Sequence, residues 1–184
     1  NTNDITTTVS GPLVSGNQLI QLSNSLQSGN CLISNPYPSP ISWDKVVLGN
    51  PGVTTGAIYI YNADLGVTTS YVGGVSSHVN GAKSTIPMGQ GFYCQSLGNS
   101  QLFITESMKV SDNTGVDPLL KIQSAPNVLR LKLSGGNSFD ETVVRFHNSA
   151  TSNYDSNLDA KKVFDSPGYL GYPGVWSKRT TIST

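Results

Sequence analysis

The chain has 184 residues, 11 Lys and Arg against 11 Asp and Glu, zero net charge and only 12% charged residues, where an ordinary soluble domain carries roughly 25%. No basic run is available to neutralise a phosphate backbone, Lys178-Arg179 being the nearest approach, which argues against nucleic acid as a partner. No apolar stretch approaches the roughly 20 residues of a membrane-crossing helix, which argues against membrane insertion.

The length suits one domain or two small ones, with a core that needs no metal or disulfide support. Ser, Thr, Asn and Gly stand where charge is missing. They stay hydrated and favour turns and exposed strand faces over helix interiors. That is the composition expected of a secreted, extracellular β protein. A start at Asn1, without Met or a signal peptide, is what a mature chain or an excised fragment would show.

In chain order, "DITTTVSG" and "NQLIQLS" read as weak strands, and "GNCLIS" as a short buried one. "NPYPSPISWD" (35–44) follows, with Pro36, Pro38 and Pro40 alternating. Each proline fixes its own φ and pushes the residue before it to an extended conformation. The stretch is expected to be a rigid corner that cannot be a central strand and that sets Trp43 at a fixed spot. "AIYIYN" (57–62) alternates, with Ile58 and Ile60 on one face and Tyr59 and Tyr61 on the other. "QGFYCQS" (90–96) and "QLFIT" (101–105) read as a hairpin joined across "LGNS".

"NVLRLKLS" (127–134) puts Leu129, Leu131 and Leu133 on one face, expected to be the buried one, and Arg130 and Lys132 on the wet side. "TVVRFHN" (142–148) likewise predicts Val144 and Phe146 inward, Arg145 and His147 outward. Helical periodicity is nearly absent; "SNLDAKKVFD" (156–165) predicts one short turn of helix, started by Ser156 or Asn157. Turn signals every 8 to 12 residues or so predict an all-β, antiparallel, jelly-roll-like sandwich. It is either continuous or two packed sub-sandwiches, 1–110 and 111–184, with "SDNTGVDPLLK" (111–121) as the boundary.

Several motifs, in order, carry a family resemblance. "NCLISNPYPSPISWDKV" (30–46) resembles the "NL-GNPYPS-IDW" motif of surface proteins that Bacteroidetes secrete by the type IX route. The family's later motifs are matched by "AIYIYN", "GGVSSHVNG" (73–81), "TIPMGQGFYCQ" (85–95) and "LFITESMKV" (102–110). They continue through "LRLKL" (129–133), "DETVVRF" (140–146) and "ATSNYDSNLDAKKVF" (150–164), so the resemblance spans roughly residues 17 to 165. It implies a β-rich, extracellular region near the C-terminal end of a larger secreted protein, with no catalytic activity of its own. Cys31 and Cys94 both depart from the family pattern, and two departures to the same residue favour a disulfide between them. The alternative is two buried thiols acting as small hydrophobes.

Candidate site chemistry is sparse. His78 and His147 lack metal-ligand spacing and read as solvated. Asp44, Asp64, Glu106, Asp140, Glu141, Asp155 and Asp159 are scattered, with nothing to single out a catalytic pair, so the chain reads as no enzyme and as needing no cofactor. "NYDSNLD" (153–159) offers Asp155, Asn157 and Asp159, and "SDNTGVD" (111–117) offers Asp112 and Asp117, as oxygen ligands for a structural calcium ion. The alternative for both is an Asx-bonded turn.

Tyr37, Trp43, Tyr59, Tyr61, Tyr71 and Tyr93, with Tyr169, Tyr172 and Trp176 later, are able to stack on a sugar or equally to fill a core, and Tyr37, Trp43, Tyr169, Tyr172 and Trp176 are the candidate ligand-binding residues among them. The leading expectation is a non-catalytic extracellular β-sandwich module, serving adhesion, display or assembly at a cell surface. Its partner would be a polysaccharide or another cell-surface protein. The alternatives are a carbohydrate-binding module, which requires two or three exposed aromatics on one sheet face or loop rim, and a self-assembling filament subunit.

Overall fold

A computed structural model describes residues 8, 10–23, 29–63, 66–78, 81–111, 127–135 and 138–162. Among the described residues, eleven strands and one α-helix run in the order β1 (Gln18–Leu22), β2 (Asn30–Ser34), β3 (Ile41–Ser42), α1 (Trp43–Gly49), β4 (Thr54–Asn62), β5 (Val67–Val72), β6 (Val75–Ser76), β7 (Thr85–Ile86), β8 (Gly91–Ser96), β9 (Ser100–Ile104), β10 (Val128–Gly135) and β11 (Ser138–Arg145), with a 3-10 turn at Glu106–Met108 after β9. The fold is all-β and sandwich-like. A five-stranded sheet in the order β2-β8-β4-β5-β6 faces the β1-β9 pair, with the short β3-β7 pair beside them. All the strand pairings are antiparallel.

The core lies between these layers. Ile58, Tyr71, Phe92 and Cys94 come from the large sheet, Leu22, Leu102 and Ile104 from β1-β9, and Ile41, Trp43, Val46 and Ile86 from the elements between. Strand β4 is covered on both faces: Ile58 enters this core, while Ala57 and Tyr59 join Val72 and Ala160 in a second cluster on the outer face. The alternation of "AIYIYN" is therefore as the sequence predicts, and both of its faces find a partner at Ala57–Tyr59.

Other expectations are overturned. Strands β8 and β9 do not form a hairpin. β8 pairs with β2 and β4, and β9 pairs with β1. The link between them is a corner that carries the chain from one layer to the other, held by the Ser96 and Ser100 hydroxyls on the Gly98 carbonyl. Phe92 and Cys94 in β8, and Leu102 and Ile104 in β9, thus meet one core from opposite sides.

The α-helix among the described residues is α1. Ser42 caps it, its hydroxyl accepting from the Lys45 N–H, and Asp44 sits in its first turn. Over the described part of 156–165 the chain makes only a turn, in which the Leu158 and Asp159 N–H groups both donate to the Asp155 carbonyl at 2.9 and 2.8 Å. The proposed boundary at 111–121 and the strand "DITTTVS" lie almost wholly outside the described residues.

Candidate functional site

The proline corner is built from inside. The Asn35 amide N–H2 donates to the Ser39, Ile86 and Pro87 carbonyls at 2.8–3.1 Å, and its oxygen accepts from the Tyr37 N–H at 3.0 Å. The Tyr37 hydroxyl lies 2.8 Å from the carbonyls of both Gly16 and Ile104. Trp43 is wholly buried, and its indole N–H donates to the Gly56 carbonyl at 2.8 Å. Tyr37 and Trp43, named above as ligand-binding candidates, are therefore core residues, 1% and 0% exposed, with no ring face open to a sugar. Tyr169, Tyr172 and Trp176 lie outside the described residues.

A β-bulge does double duty at Gly56. The β4-β8 register shifts between Thr54 and Ile58, which takes Gly56 out of the ladder. Its carbonyl is then open to Trp43, and its N–H donates to the Ser156 carbonyl at 2.8 Å. A Cβ at this position would stand 3.1 Å from the Asn157 Cα, so a larger residue would press the 150s segment back by a few tenths of an ångström. The Lys161 N–H donates to the Tyr59 hydroxyl at 3.0 Å, fixing the far end of that segment on the outer face of the sheet.

The β10-β11 hairpin closes the other side. Arg145 reaches the Gly73 carbonyl at 2.6 Å. The leucine face expected to be buried is not: Leu129, Leu131 and Leu133 are 46%, 44% and 40% exposed, Arg130 and Lys132 between them are exposed too, and so is Phe146. Arg145, read as outward, points toward the sheet, and buried Glu141 on the same face takes an ion pair from Arg130 at 2.8 Å. Asp140 is buried and paired with Lys162.

Between the sheet, the hairpin and the 150s segment lies a cleft of about 470 Å³. That is within the range of small-ligand pockets, about 300–1,000 Å³. Hydroxyls of Tyr59, Thr68, Ser70, Ser77, Thr142 and Tyr154 line it. So do three carboxylates, Asp140, Glu141 and Asp159, and three cations, Arg145, Lys161 and Lys162. The lining charge is balanced.

His78 lines the cleft and is only 8% exposed, so the expectation of a solvated histidine is corrected. Burial lowers its pKa, working against Glu141 and Asp140, which raise it. Its Nδ1 lies 2.9 Å from the Ser77 hydroxyl. His147, at the rim, is exposed as expected, and its Nδ1 accepts from the Ser149 N–H at 3.2 Å. Burial pushes the Tyr59 hydroxyl up to about 12.

The outer face of the large sheet leads into this cleft. Tyr59 and Tyr93 are directly opposed on β4 and β8, and Tyr61 lies two residues beyond Tyr59 on the same face. Tyr61 and Tyr93 are 60% and 44% exposed, and exposed Leu32 stands opposite Tyr93. Sequence reading counted Tyr59, Tyr61 and Tyr93 among the aromatics without placing them together. The strand pairing makes them a strip.

The calcium candidates divide. Asp112 and Asp117 lie outside the described residues. Asp155 accepts from the Thr151 N–H and hydroxyl at 2.7 and 2.8 Å, and Asp159 accepts from the Asp155 N–H at 2.7 Å. Asn157 sits against Gly56 and Gly73. Each carboxylate thus accepts from the backbone N–H four residues before it and holds its own loop together. Among the described residues no group of three or more His, Cys, Asp or Glu side chains is placed to hold a metal ion. Cys31 and Cys94 are free thiols set directly opposite each other on β2 and β8.

No protein-family model, curated protein or solved structure matches the chain.

Proposed function

We propose that the chain is a non-catalytic extracellular module of a secreted or cell-surface protein, serving adhesion or display by holding an uncharged glycan. The observation that carries this reading is the tyrosine strip running into a charge-balanced cleft. Exposed Tyr61 and Tyr93 offer flat apolar faces on which pyranose rings stack. The cleft at the end of the strip presents hydroxyls and paired charges, which bond sugar hydroxyls in either direction. Three carboxylates against three cations leave no excess charge to select an anionic ligand.

The non-catalytic reading rests on the same pairs. Asp140 is tied to Lys162 and Glu141 to Arg130, so each buried carboxylate serves a structural partner. Glycoside cleavage needs one carboxyl group held as an acid across the substrate from a second.

The test is retention of the native chain on a panel of insoluble polysaccharides, neutral and acidic. Saturable binding to a neutral class is expected. Replacing both strip residues, Tyr61→Ala with Tyr93→Ala, should weaken it about tenfold or more, as loss of two stacking contacts implies. Failure to bind any neutral glycan, or binding that the double variant leaves unchanged, would overturn the reading.

A further inference from the structure

Cys31 and Cys94 are Cα partners across β2 and β8. The flanking ladder fixes which kind of pair they are. The Asn35 N–H donates to the Gln90 carbonyl at 3.1 Å, and the Ser96 N–H donates to the Gly29 carbonyl at 2.8 Å. Residues 35 and 90, and 29 and 96, are thus opposed at hydrogen-bonded positions of one antiparallel register. Such positions recur at every second residue, so Cys31 and Cys94 occupy one as well. At hydrogen-bonded positions the Cα atoms stand about 5.5 Å apart, in the middle of the range that disulfides span.

Directly opposed residues leave a sheet on the same face, here the core face, where Cys94 packs wholly buried and Cys31 half-buried. Strand β2 is the edge of the five-stranded sheet, which leaves Cys31 within reach of a small reagent. Its Sγ lies 3.1 Å from the Ser23 carbonyl.

We propose that Cys31 and Cys94 are a disulfide site, oxidised by a small-molecule disulfide to a bond that ties edge strand β2 to β8. The Cys31 thiolate attacks one sulfur of the reagent, forming a mixed disulfide and expelling one reduced thiol. The Cys94 thiolate then attacks the Cys31 sulfur, forming the cross-strand bond and expelling the second. The two protein thiols give up two protons and two electrons, and the reagent takes up both as two thiols. Burial, with the Cys31 charge adding to it, pushes the Cys94 thiol up to about 12, so Cys31 makes the first attack and the closing step sets the pace. An oxidising exterior supplies such reagents. The inference stands apart from the glycan reading, since neither residue lines the cleft.

The test exposes the native full chain to oxidised glutathione, then unfolds, alkylates and digests it without reduction. Expected is one peptide pair joined through Cys31 and Cys94, two hydrogens lighter than the separate peptides, with neither cysteine alkylated. The melting temperature should rise on the order of 10 °C, reversibly with dithiothreitol, because a long loop is closed. The Cys31→Ser chain should show neither the linked pair nor the shift. Two alkylated cysteines, a persistent glutathione adduct on Cys31, or chains joined to one another would each overturn the proposal.

Discussion

At the residue scale, two buried asparagines do what the prolines alone cannot. Proline stiffens the 35–44 stretch, but Asn35 anchors it with four hydrogen bonds, two inside the stretch to Tyr37 and Ser39 and two to Ile86 and Pro87. Asn50 works the same way after α1, its amide donating to the Val46 and Phe103 carbonyls and accepting from the Phe103 N–H, all at 2.8–2.9 Å. Removing such a group strands several buried partners at once. Asn35→Ala is expected to lower stability by about 3 kcal/mol, measured by urea denaturation, and a loss under about 1 kcal/mol would contradict this role. The corner was legible in the sequence because prolines announce themselves. The asparagine anchors were not, because "GNPG" reads as a turn whether its amide is buried or wet.

His78 also belongs at this scale. Burial lowers its folded-state pKa below the ordinary 6.5. Below about pH 6.5 the unfolded chain therefore binds a proton that the folded one resists, and stability falls with falling pH until the folded histidine also titrates. Above 6.5 both forms are neutral and the effect vanishes. The loss between pH 7 and pH 5 should be smaller in His78→Gln than in the native chain. Equal slopes in the two would show that His78 is solvated after all.

At the scale of elements, alternation told which residues share a face but not which face meets the body. For "AIYIYN" that was enough, since both faces find partners around Tyr59. For β10-β11 it was not. The apolar face was taken as inward, yet its leucines are exposed, as are Arg130 and Lys132 between them, and it is Arg145 that reaches the sheet, at the Gly73 carbonyl. The deciding contacts are non-local and leave no periodic trace. Helix α1 escaped notice for another reason: its 7 residues are fewer than the 11 or more that periodicity needs.

Gly73 is the hinge of this arrangement. Its φ is +52°, and a Cβ would come within 2.9 Å of the Arg145 Nη1 and 3.1 Å of the Asn157 carbonyl oxygen. Gly73→Ala should therefore cost about 1–3 kcal/mol. It should also loosen the hairpin specifically, read as faster amide exchange in β11 than in β4. Uniform exchange across both strands would contradict it.

At the scale of the whole molecule, the cleft is a product of topology. Its lining runs from Tyr59 to Lys162, drawn from β4, β5, β6, β11 and the 150s segment. The sequence contains the ingredients, including Asp140, Glu141, Asp159 and the tyrosines, but not their pairing, which comes from folding: Glu141 with Arg130 across the hairpin and Asp140 with Lys162 of the later segment. The two aromatics best placed by sequence, Tyr37 and Trp43, went to the core, and Tyr61 and Tyr93 took the surface. A fold of low charge, with a cleft whose lining charges balance, is suited to a ligand without net charge.

The most direct measurement is saturation-transfer NMR with a panel of neutral oligosaccharides on the native chain and on Ala150→Trp, which fills the cleft from its exposed rim. Transfer to at least one oligosaccharide in the native chain, lost in Ala150→Trp while the melting temperature holds, is the expected result. No transfer in the native chain, or equal transfer in both, would contradict the assignment of the cleft as the glycan seat.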